Sequence, residues 1–402
     1  MKIKIKNIRS VMLFYFPFLI YTFCYSLIKM TTFGVIYNIS TITFLLMNLS
    51  IVLVIIKIIT DKLTVNKIVV CSILISIGVL CNYYSRRNDL LVLILFLIAG
   101  CEKIEMNRFI KYSMIIQTII LVGTFLLCKF GILPDWTYSG LMGIRHSYGF
   151  IYPSILSSLF FYISLSYFYL KKKIYFKDIV IFEGINLYLF FITGSRTAFL
   201  FLFIVFLLFG IIENYKRKNR IQLRKFDVIL KYIFMTVPSV ALLISIFLSF
   251  AYMNGQKYAN ILNVFFSNRL RMAAKAISEQ GFHLFGTVVS WVGNGGRGYT
   301  FDSYEKYNFV DNSYIYILIT YGVVAVLLVV LLYTFTIKWI CESKNNKMCF
   351  IVLSIILYSL IEPRLIEIYF NPFILIVASE FYERRLYIKN SLKSRILLKN
   401  KN

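Results

Sequence analysis

The chain has 402 residues, of which 59% are hydrophobic and only 15% are charged, and its mean hydropathy is +0.75. A soluble domain is about 45–50% apolar and about 25% charged, so this composition excludes a water-soluble protein. The net charge of +26 follows the segments between apolar runs and forms no single basic face, which argues against a nucleic-acid partner.

Apolar runs of the length needed to cross about 30 Å of hydrocarbon recur along the whole chain. Because a membrane-spanning backbone must satisfy its hydrogen bonds internally, these runs predict helices. We therefore expect an all-α fold, a polytopic transmembrane helix bundle of about 12 spans. The predicted spans are 11–28, 42–60, 67–84, 89–101, 111–130, 150–170, 178–194, 197–212, 231–252, 313–337, 348–361 and 365–381.

Lysine and arginine are distributed unevenly between the connecting segments. With the N-terminus in the cytoplasm, the inner segments hold roughly 31 of the 44 Lys and Arg residues, which is the bias that the positive-inside rule expects. Both termini are then predicted to be cytoplasmic. Basic clusters such as Lys171–Lys173 fall inside, where we expect them to bind the head groups of membrane lipids.

One predicted outer segment is much longer than the others. Residues 253–312 form a loop between spans nine and ten, whereas most other connections are short. The chain therefore divides into spans one to nine (1–252), an extracytoplasmic loop (253–312), and spans ten to twelve with a basic cytoplasmic tail (313–402). Long loops on a rigid scaffold often carry function, so a site is expected here.

Two short segments bring arginines to the predicted outer ends of spans. Arg145 and His146 precede span six, where the guanidinium could bind a phosphate through two hydrogen bonds and the imidazole could transfer a proton. Arg196 lies in the turn Gly194–Ala198 between spans seven and eight, where it could hold a diphosphate. The alternatives are an interfacial arginine for the first segment and a turn that contacts lipid heads for the second.

The long loop contributes further charged residues. Arg269 and Arg271 lie on one predicted short helix, and His283 follows it. The glycine-rich run 293–298 lacks the flanking strand and the Lys-Ser/Thr of a nucleotide-binding loop, which favours a flexible loop. Asp311, just before span ten, either caps that helix or orients a cation or a sugar hydroxyl.

A last charged segment lies between spans eleven and twelve. Glu362 and Arg364 flank a proline there, and Glu367 follows, so these residues form either an ion pair or part of a site. All of these segments reach the same predicted outer face, which suits an anionic, phosphate-bearing substrate. The sequence contains no metal-ligand cluster, no Ser-His-Asp spacing and no Asp-X-Asp pair on this face, so we expect neither a metal nor a cofactor.

Four motifs, taken in order, resemble one family of membrane enzymes. They are the turn Gly194–Ala198, Asn268–Leu270 near the start of the long loop, Leu284–Gly286 in its middle, and Asp311–Tyr314 at its end. This pattern resembles the Wzy-type polymerases of bacterial O-antigen and capsular polysaccharides, which are relatives of the O-antigen ligases. The likeness in architecture covers most of the chain, and the local motifs cover about a tenth of it.

The resemblance implies that undecaprenyl-diphosphate-linked oligosaccharide repeat units are polymerised at the outer face of the bacterial cytoplasmic membrane. A glycosyltransferase of this kind uses no cofactor, and a flippase and a chain-length regulator are its expected protein partners. The implied substrate-binding residues are Arg145, Arg196, Arg269, Arg271 and Arg364. The general base is expected to be His283, with His146, Asp311 and Glu362 as the competing candidates.

One position departs from the family pattern, because Tyr152-Pro153-Ser154 stands where a His-Pro-Asn sequence is expected. Three other functions stay open at this stage. An O-antigen-ligase-like transferase would share nearly all of these features. A lipid-linked oligosaccharide flippase or transporter should carry more charges at mid-span, and a scaffold subunit of an export complex should not need the outer arginines.

Overall fold

The computed structural model describes residues 2–37, 39–61, 65–101, 104–140, 143–218, 224–293, 307–343 and 345–378. Most of the glycine-rich run 293–298 and all of the basic C-terminal tail after residue 383 lie outside these residues. In the described part, the chain forms fifteen α-helices and one two-stranded sheet. The helices are α1 (Lys2–Met30), α2 (Phe33–Ile36), α3 (Ser40–Thr60), α4 (Val65–Ser85), α5 (Asp89–Gly100), α6 (Met106–Lys129), α7 (Pro153–Leu170), α8 (Phe176–Thr193), α9 (Arg196–Lys218), α10 (Arg224–Met253), α11 (Lys257–Phe265), α12 (Arg269–Gln280), α13 (Ser313–Thr320), α14 (Gly322–Glu342) and α15 (Asn346–Tyr358). The strands are β1 (Thr137–Gly140) and β2 (Gly143–His146), which pair antiparallel.

The prediction of an all-α, multi-pass membrane protein is confirmed. Seven helices are long and apolar enough to cross a membrane, namely α1, α3, α4, α6, α7, α10 and α14. Three shorter apolar segments, Asp89–Gly100, Arg196–Gly210 and Lys347–Tyr358, lie beside them. Large apolar side chains are exposed along α3, α4 and α10, as expected where a helix surface faces lipid instead of water.

Helix α5 shows why one short apolar helix can lie at the centre of such a bundle. It is apolar on every side, and its residues from Leu90 to Gly100 are all buried except Leu91, which is half-buried. Lys57 contacts its C-terminal end. The ammonium of Lys57 donates to the carbonyl oxygen of Ala99 at 2.6 Å and to the carboxylate of Asp61 at 2.6 Å. The cation therefore neutralises both a helix C-terminus and an acid in a buried position.

The predicted span 313–337 is broken into α13 and α14. The break lies at Tyr321-Gly322, where Gly322 has a φ of +91°. The carbonyls of His283 and Leu284 accept hydrogen bonds from Val323 and Val324, with N–O distances of 2.9 and 3.1 Å. The long loop thus supplies the acceptors that the first amides of α14 lack within their own helix.

Over its described part, residues 365–378, the predicted span 365–381 does not form one continuous helix. Residues 365–371 form turns and bends, and a 3-10 helix follows at Pro372–Leu375. This irregular segment is buried, and side chains satisfy its backbone: the amide of Gln117 donates to the carbonyls of Tyr369 and Phe370, and that of Asn371 donates to Leu365. Periodicity predicted a helix because an apolar run enclosed by protein looks like a span in sequence.

The contact between the long loop and the break predicts a large cost for one methyl group. In Gly286, with a φ of +85°, an added Cβ would lie 2.0 Å from the carbonyl oxygen of Thr320. We expect Gly286→Ala to lower the melting temperature in detergent markedly and to reduce the yield of folded protein. Gly281→Ala is the control, because Gly281 also has a positive φ, +66°, but its added Cβ would meet nothing within 4 Å. Equal melting temperatures for the two variants would contradict this packing.

Candidate functional site

A cavity of about 600 Å³ lies where several helix ends meet. Its walls come from β2 and the start of α7, the α8–α9 turn, the first residues of α12, and the segments that precede α13 and follow α15. The lining residues are Arg145, Tyr152, Ser154, Gly194, Ser195, Arg196, Thr197, Ala198, Ser267, Asn268, Arg269, Arg271, Met272, Tyr307, Asp311 and Glu362. All four charged segments that the sequence pointed to therefore contribute to one cavity.

Arg269 is the central cation of the cavity wall. Its guanidinium donates to Glu362 at 3.2 Å, to Asp311 at 3.4 Å and to the hydroxyl of Thr197 at 2.8 Å. The side chain is only 14% exposed, so both carboxylates meet it in a region with little water. One largely buried arginine thus joins its own helix to three other parts of the chain.

The local sequence before Arg269 fixes its position. Ser267 and Asn268 both adopt left-handed backbone conformations, with φ of +55° and +66°, so the chain reverses sharply between α11 and α12. Asparagine tolerates this conformation better than most residues. The side chain of Asn263 binds both sides of the turn, donating to Asn268 at 3.0 Å and accepting from the backbone amide of Arg271 at 2.9 Å. The predicted helix for the two loop arginines is confirmed, and it begins at Arg269.

Asp311 is free to face Arg269 because its neighbour caps the helix. The side chain of Asn312 accepts hydrogen bonds from the amides of Tyr314 and Ile315 at 2.9 and 3.1 Å. The same amide group donates to Ser245 of α10 at 2.9 Å. Of the two roles predicted for Asp311, capping therefore belongs to Asn312, and the carboxylate points into the cavity.

Glu362 is the buried acid of the cavity. It is 2% exposed and follows α15, where Ser313 holds its carbonyl with a hydrogen bond of 2.6 Å. Burial raises the pKa of the Glu362 carboxyl to about 7; the cation of Arg269 opposes this shift, and the carboxylate of Asp311 adds to it. The hydroxyl of Ser158 also contacts the carboxylate and favours its charged form. At neutral pH this group can therefore both accept and release a proton.

Arg145 is held against the α8–α9 turn by hydrogen bonds to neutral groups. Its Nε donates to the carbonyl of Thr193 at 2.7 Å, and its terminal nitrogens lie 3.4 Å from the hydroxyl of Ser195 and 3.5 Å from that of Tyr152. Gly194 ends α8 in the left-handed conformation, and an added Cβ there would lie 3.0 Å from Cγ of Arg145. The glycine of this turn is thus needed both for the chain reversal and for the approach of the arginine.

Arg196 and Arg271 are the exposed cations of the cavity. Within the part of the chain that the structure describes, neither they nor Arg145 has a carboxylate within 4 Å. With Glu362 ionised, four guanidiniums face two carboxylates, and both carboxylates are already bound to Arg269. The cavity thus has an excess of positive charge on three arginines, which suits an anionic ligand.

The structure places three of the predicted site residues outside the cavity lining. His146 follows Arg145 on β2 but does not line the cavity, and its Nδ1 lies 2.6 Å from the carboxylate of Asp135. His283 is exposed, with its ring nitrogen 2.9 Å from the carbonyl of Gln280, while its own carbonyl caps α14. Arg364 pairs with Glu367 at 2.8 Å.

Two tyrosines of the cavity were not predicted as site residues. Tyr307 lies with its hydroxyl 3.5 Å from Asp311, and Tyr152 reaches Arg145 from the start of α7. In the sequence, Tyr152 is distinguished only as part of a departure from a family pattern. Tyrosine is so frequent in this chain, with 30 copies, that composition gives no signal for these two.

The described residues contain no group of three or more His, Cys, Asp or Glu side chains that could hold a metal ion. Comparison of the chain with family models, with curated proteins and with solved structures gave no match. The functional interpretation therefore depends on the cavity itself.

The buried carboxyl predicts a specific pH dependence of stability. The folded state keeps the proton of Glu362 up to about pH 7, whereas the unfolded chain loses it near the ordinary pKa of 4.5. Because only the unfolded state is ionised between these pH values, the free energy of unfolding falls by about 3 kcal/mol as the pH rises through them. We expect Glu362→Gln to raise the melting temperature at pH 8 and to change it little near pH 5. Glu279→Gln, at a half-exposed position on α12, is the control. A shift from Glu362→Gln that is the same at both pH values would contradict the raised pKa.

Proposed function

We propose that the protein is a glycosyltransferase that polymerises lipid-diphosphate-linked oligosaccharide units, as the resemblance to Wzy-type polymerases implies. The observation that carries the proposal is the cavity, which combines three arginines that lack an acidic partner with one buried carboxyl that titrates near neutral pH. The first feature suits a diphosphate, and the second suits removal of a proton from a sugar hydroxyl.

In this proposal Arg145, Arg196 and Arg271 bind the diphosphate of the donor. Arg145 is already oriented by Thr193 and Ser195, so little side-chain freedom is lost when the anion binds. During transfer the bond between the anomeric carbon and the diphosphate oxygen breaks, and negative charge grows on the leaving group. The guanidinium of Arg145, which is already fixed, stabilises that charge without reorganising, which lowers the barrier.

Glu362 is assigned as the general base in this proposal, in place of the favoured sequence candidate His283. The acceptor hydroxyl attacks the anomeric carbon of the growing chain, its proton passes to the carboxylate, and the lipid diphosphate leaves. Arg269 holds Glu362 at 3.2 Å and balances the charge of the carboxylate, while Asp311 fixes the other side of Arg269. A base with a pKa near the working pH combines a useful ionised fraction with adequate basicity.

The rival functions differ in what the acceptor is or in whether a bond breaks at all. A ligase would use the same donor site and a different acceptor, so the cavity favours neither enzyme over the other. A transporter needs a path through the bundle, whereas the charged residues of this cavity lie where helix ends meet. The polymerase is preferred because the order of the local motifs resembles that family.

Substitution of Arg196 separates these possibilities in cells. In a host that lacks the chromosomal gene, we expect Arg196→Ala to be made and inserted normally but to leave single lipid-linked repeat units, with no long chains on a size-resolving gel. Arg86→Ala is the matched control, because Arg86 is also exposed but stacks on Tyr83 outside the cavity. Units trapped in the cytoplasm would indicate a transporter, and long chains retained on the lipid carrier would indicate a ligase. An unchanged ladder would show that Arg196 is only a turn residue.

The units that accumulate in that strain also provide the substrate for a test of Glu362. With purified protein, we expect Glu362→Gln to slow chain extension by roughly 10²–10⁴-fold, as for loss of a general base. The rate of the unmodified chain should rise with pH and level off above about 7, since only the ionised carboxyl accepts a proton. A rate for Glu362→Gln within a few fold of the unmodified chain would remove Glu362 from the reaction.

A further inference from the structure

Helix α11 begins immediately after a helix that is long enough to cross a membrane. Helix α10 ends at Met253, a short turn follows, and α11 runs from Lys257 to Phe265. Its 9 residues span only about 13 Å, so it cannot itself cross about 30 Å of hydrocarbon. A helix in this position lies at the level where the α10 span leaves the bilayer.

The side of α11 that faces away from the protein is apolar except for Lys257 in the first turn, which is also exposed. Ala259 and Asn263 are buried against the neighbouring helices. The large apolar residues on the opposite side are exposed: Tyr258 by 45%, Ile261 by 71%, Val264 by 76% and Phe265 by 67%. They recur at helical spacing and form one stripe, while the exposed polar residue Asn260 lies at its border. A soluble surface rarely carries four such side chains together.

This stripe continues the exposed surface of the adjacent span. Phe247 and Phe250 of α10 are exposed below it, and the ring of Phe282 lies 6.3 Å from that of Phe250. Leu284 is 66% exposed, and its carbonyl binds the amide of Val324 in the first turn of the α14 span. The apolar side chains of the long loop therefore lie level with the ends of two spans.

We propose that α11, together with Phe282 and Leu284, is seated in the lipid leaflet on the cavity side of the membrane. The partner of this surface is the bilayer itself. An amphipathic helix at an interface buries its apolar face by about 5–10 Å at the boundary between head groups and acyl chains. A second protein would need a separate interface, whereas the lipid that surrounds α10 is already in contact with the same apolar surface.

The position of α11 in the leaflet has a consequence for the cavity. Only Phe266 separates the end of α11 from Ser267 and Asn268, which line the cavity, and Arg271 follows in the first turn of α12. The cavity therefore opens near the head groups, and an anionic lipid head could enter from the side without its chain leaving the leaflet. This route for the lipid head group rests on the proposed function, but the position of α11 in the leaflet does not.

The test measures contact between α11 and lipid by tryptophan fluorescence. Ile261→Trp and the matched control Asn260→Trp are reconstituted into vesicles of phosphatidylcholine, with or without bromine on the upper part of the acyl chains. The unsubstituted chain, with its three native tryptophans, gives the background. Both positions are exposed, so neither variant disturbs the core.

We expect bromine to remove most of the emission added by Ile261→Trp, and much less of that added by Asn260→Trp. Weak quenching at both positions would place α11 in water or under another protein and would overturn the proposal. Strong and equal quenching at both would also overturn it, because the helix would then be immersed on all sides. The measurement needs no substrate and no activity, so its result is independent of whether the protein is a polymerase.

Discussion

The contact between Arg269 and the two carboxylates of Asp311 and Glu362 is the interaction on which the cavity end of the bundle depends. Each partner comes from a segment without regular structure, and each segment follows or precedes a buried helix. Charges in a poorly hydrated place are tolerated only when they are paired, and with Glu362 protonated the charge of Arg269 is balanced by that of Asp311. The same pairing leaves the remaining arginines without acids, so the structural requirement for one ion cluster creates the cavity's excess positive charge.

A second constraint is the satisfaction of backbone groups away from water. The segment 365–375 and the break before α14 both leave the helical hydrogen-bonding pattern inside the protein. Side-chain amides, namely those of Gln117 and Asn371, supply the donors in the first case, and the carbonyls of the long loop supply the acceptors in the second. Irregular backbone at membrane depth is possible only with such substitutes. The polar residues scattered through the apolar runs are therefore part of the fold.

The sequence predicted the helical bundle, most of the helix positions and the four charged segments of the cavity. Length, apolar runs and loop arginines suffice for these because they depend on local composition. It did not predict the break at Gly322 or the irregular segment after Glu362, because both depend on distant partners that periodicity does not encode. For the same reason it favoured His283, whose type suits a base, over Glu362, whose suitability arises only from burial beside Arg269.

The hydrogen bonds from α14 to His283 and Leu284 have a consequence for the mobility of the long loop. If this part of the long loop swung outward as a lid, two amides at the start of α14 would lose their acceptors beside buried side chains. The stretch 283–286 therefore belongs to the same cooperative unfolding unit as α14, and its amides should exchange with solvent no faster than those of the helix start that it caps. Any gate to the cavity therefore has to be formed by elements other than this stretch.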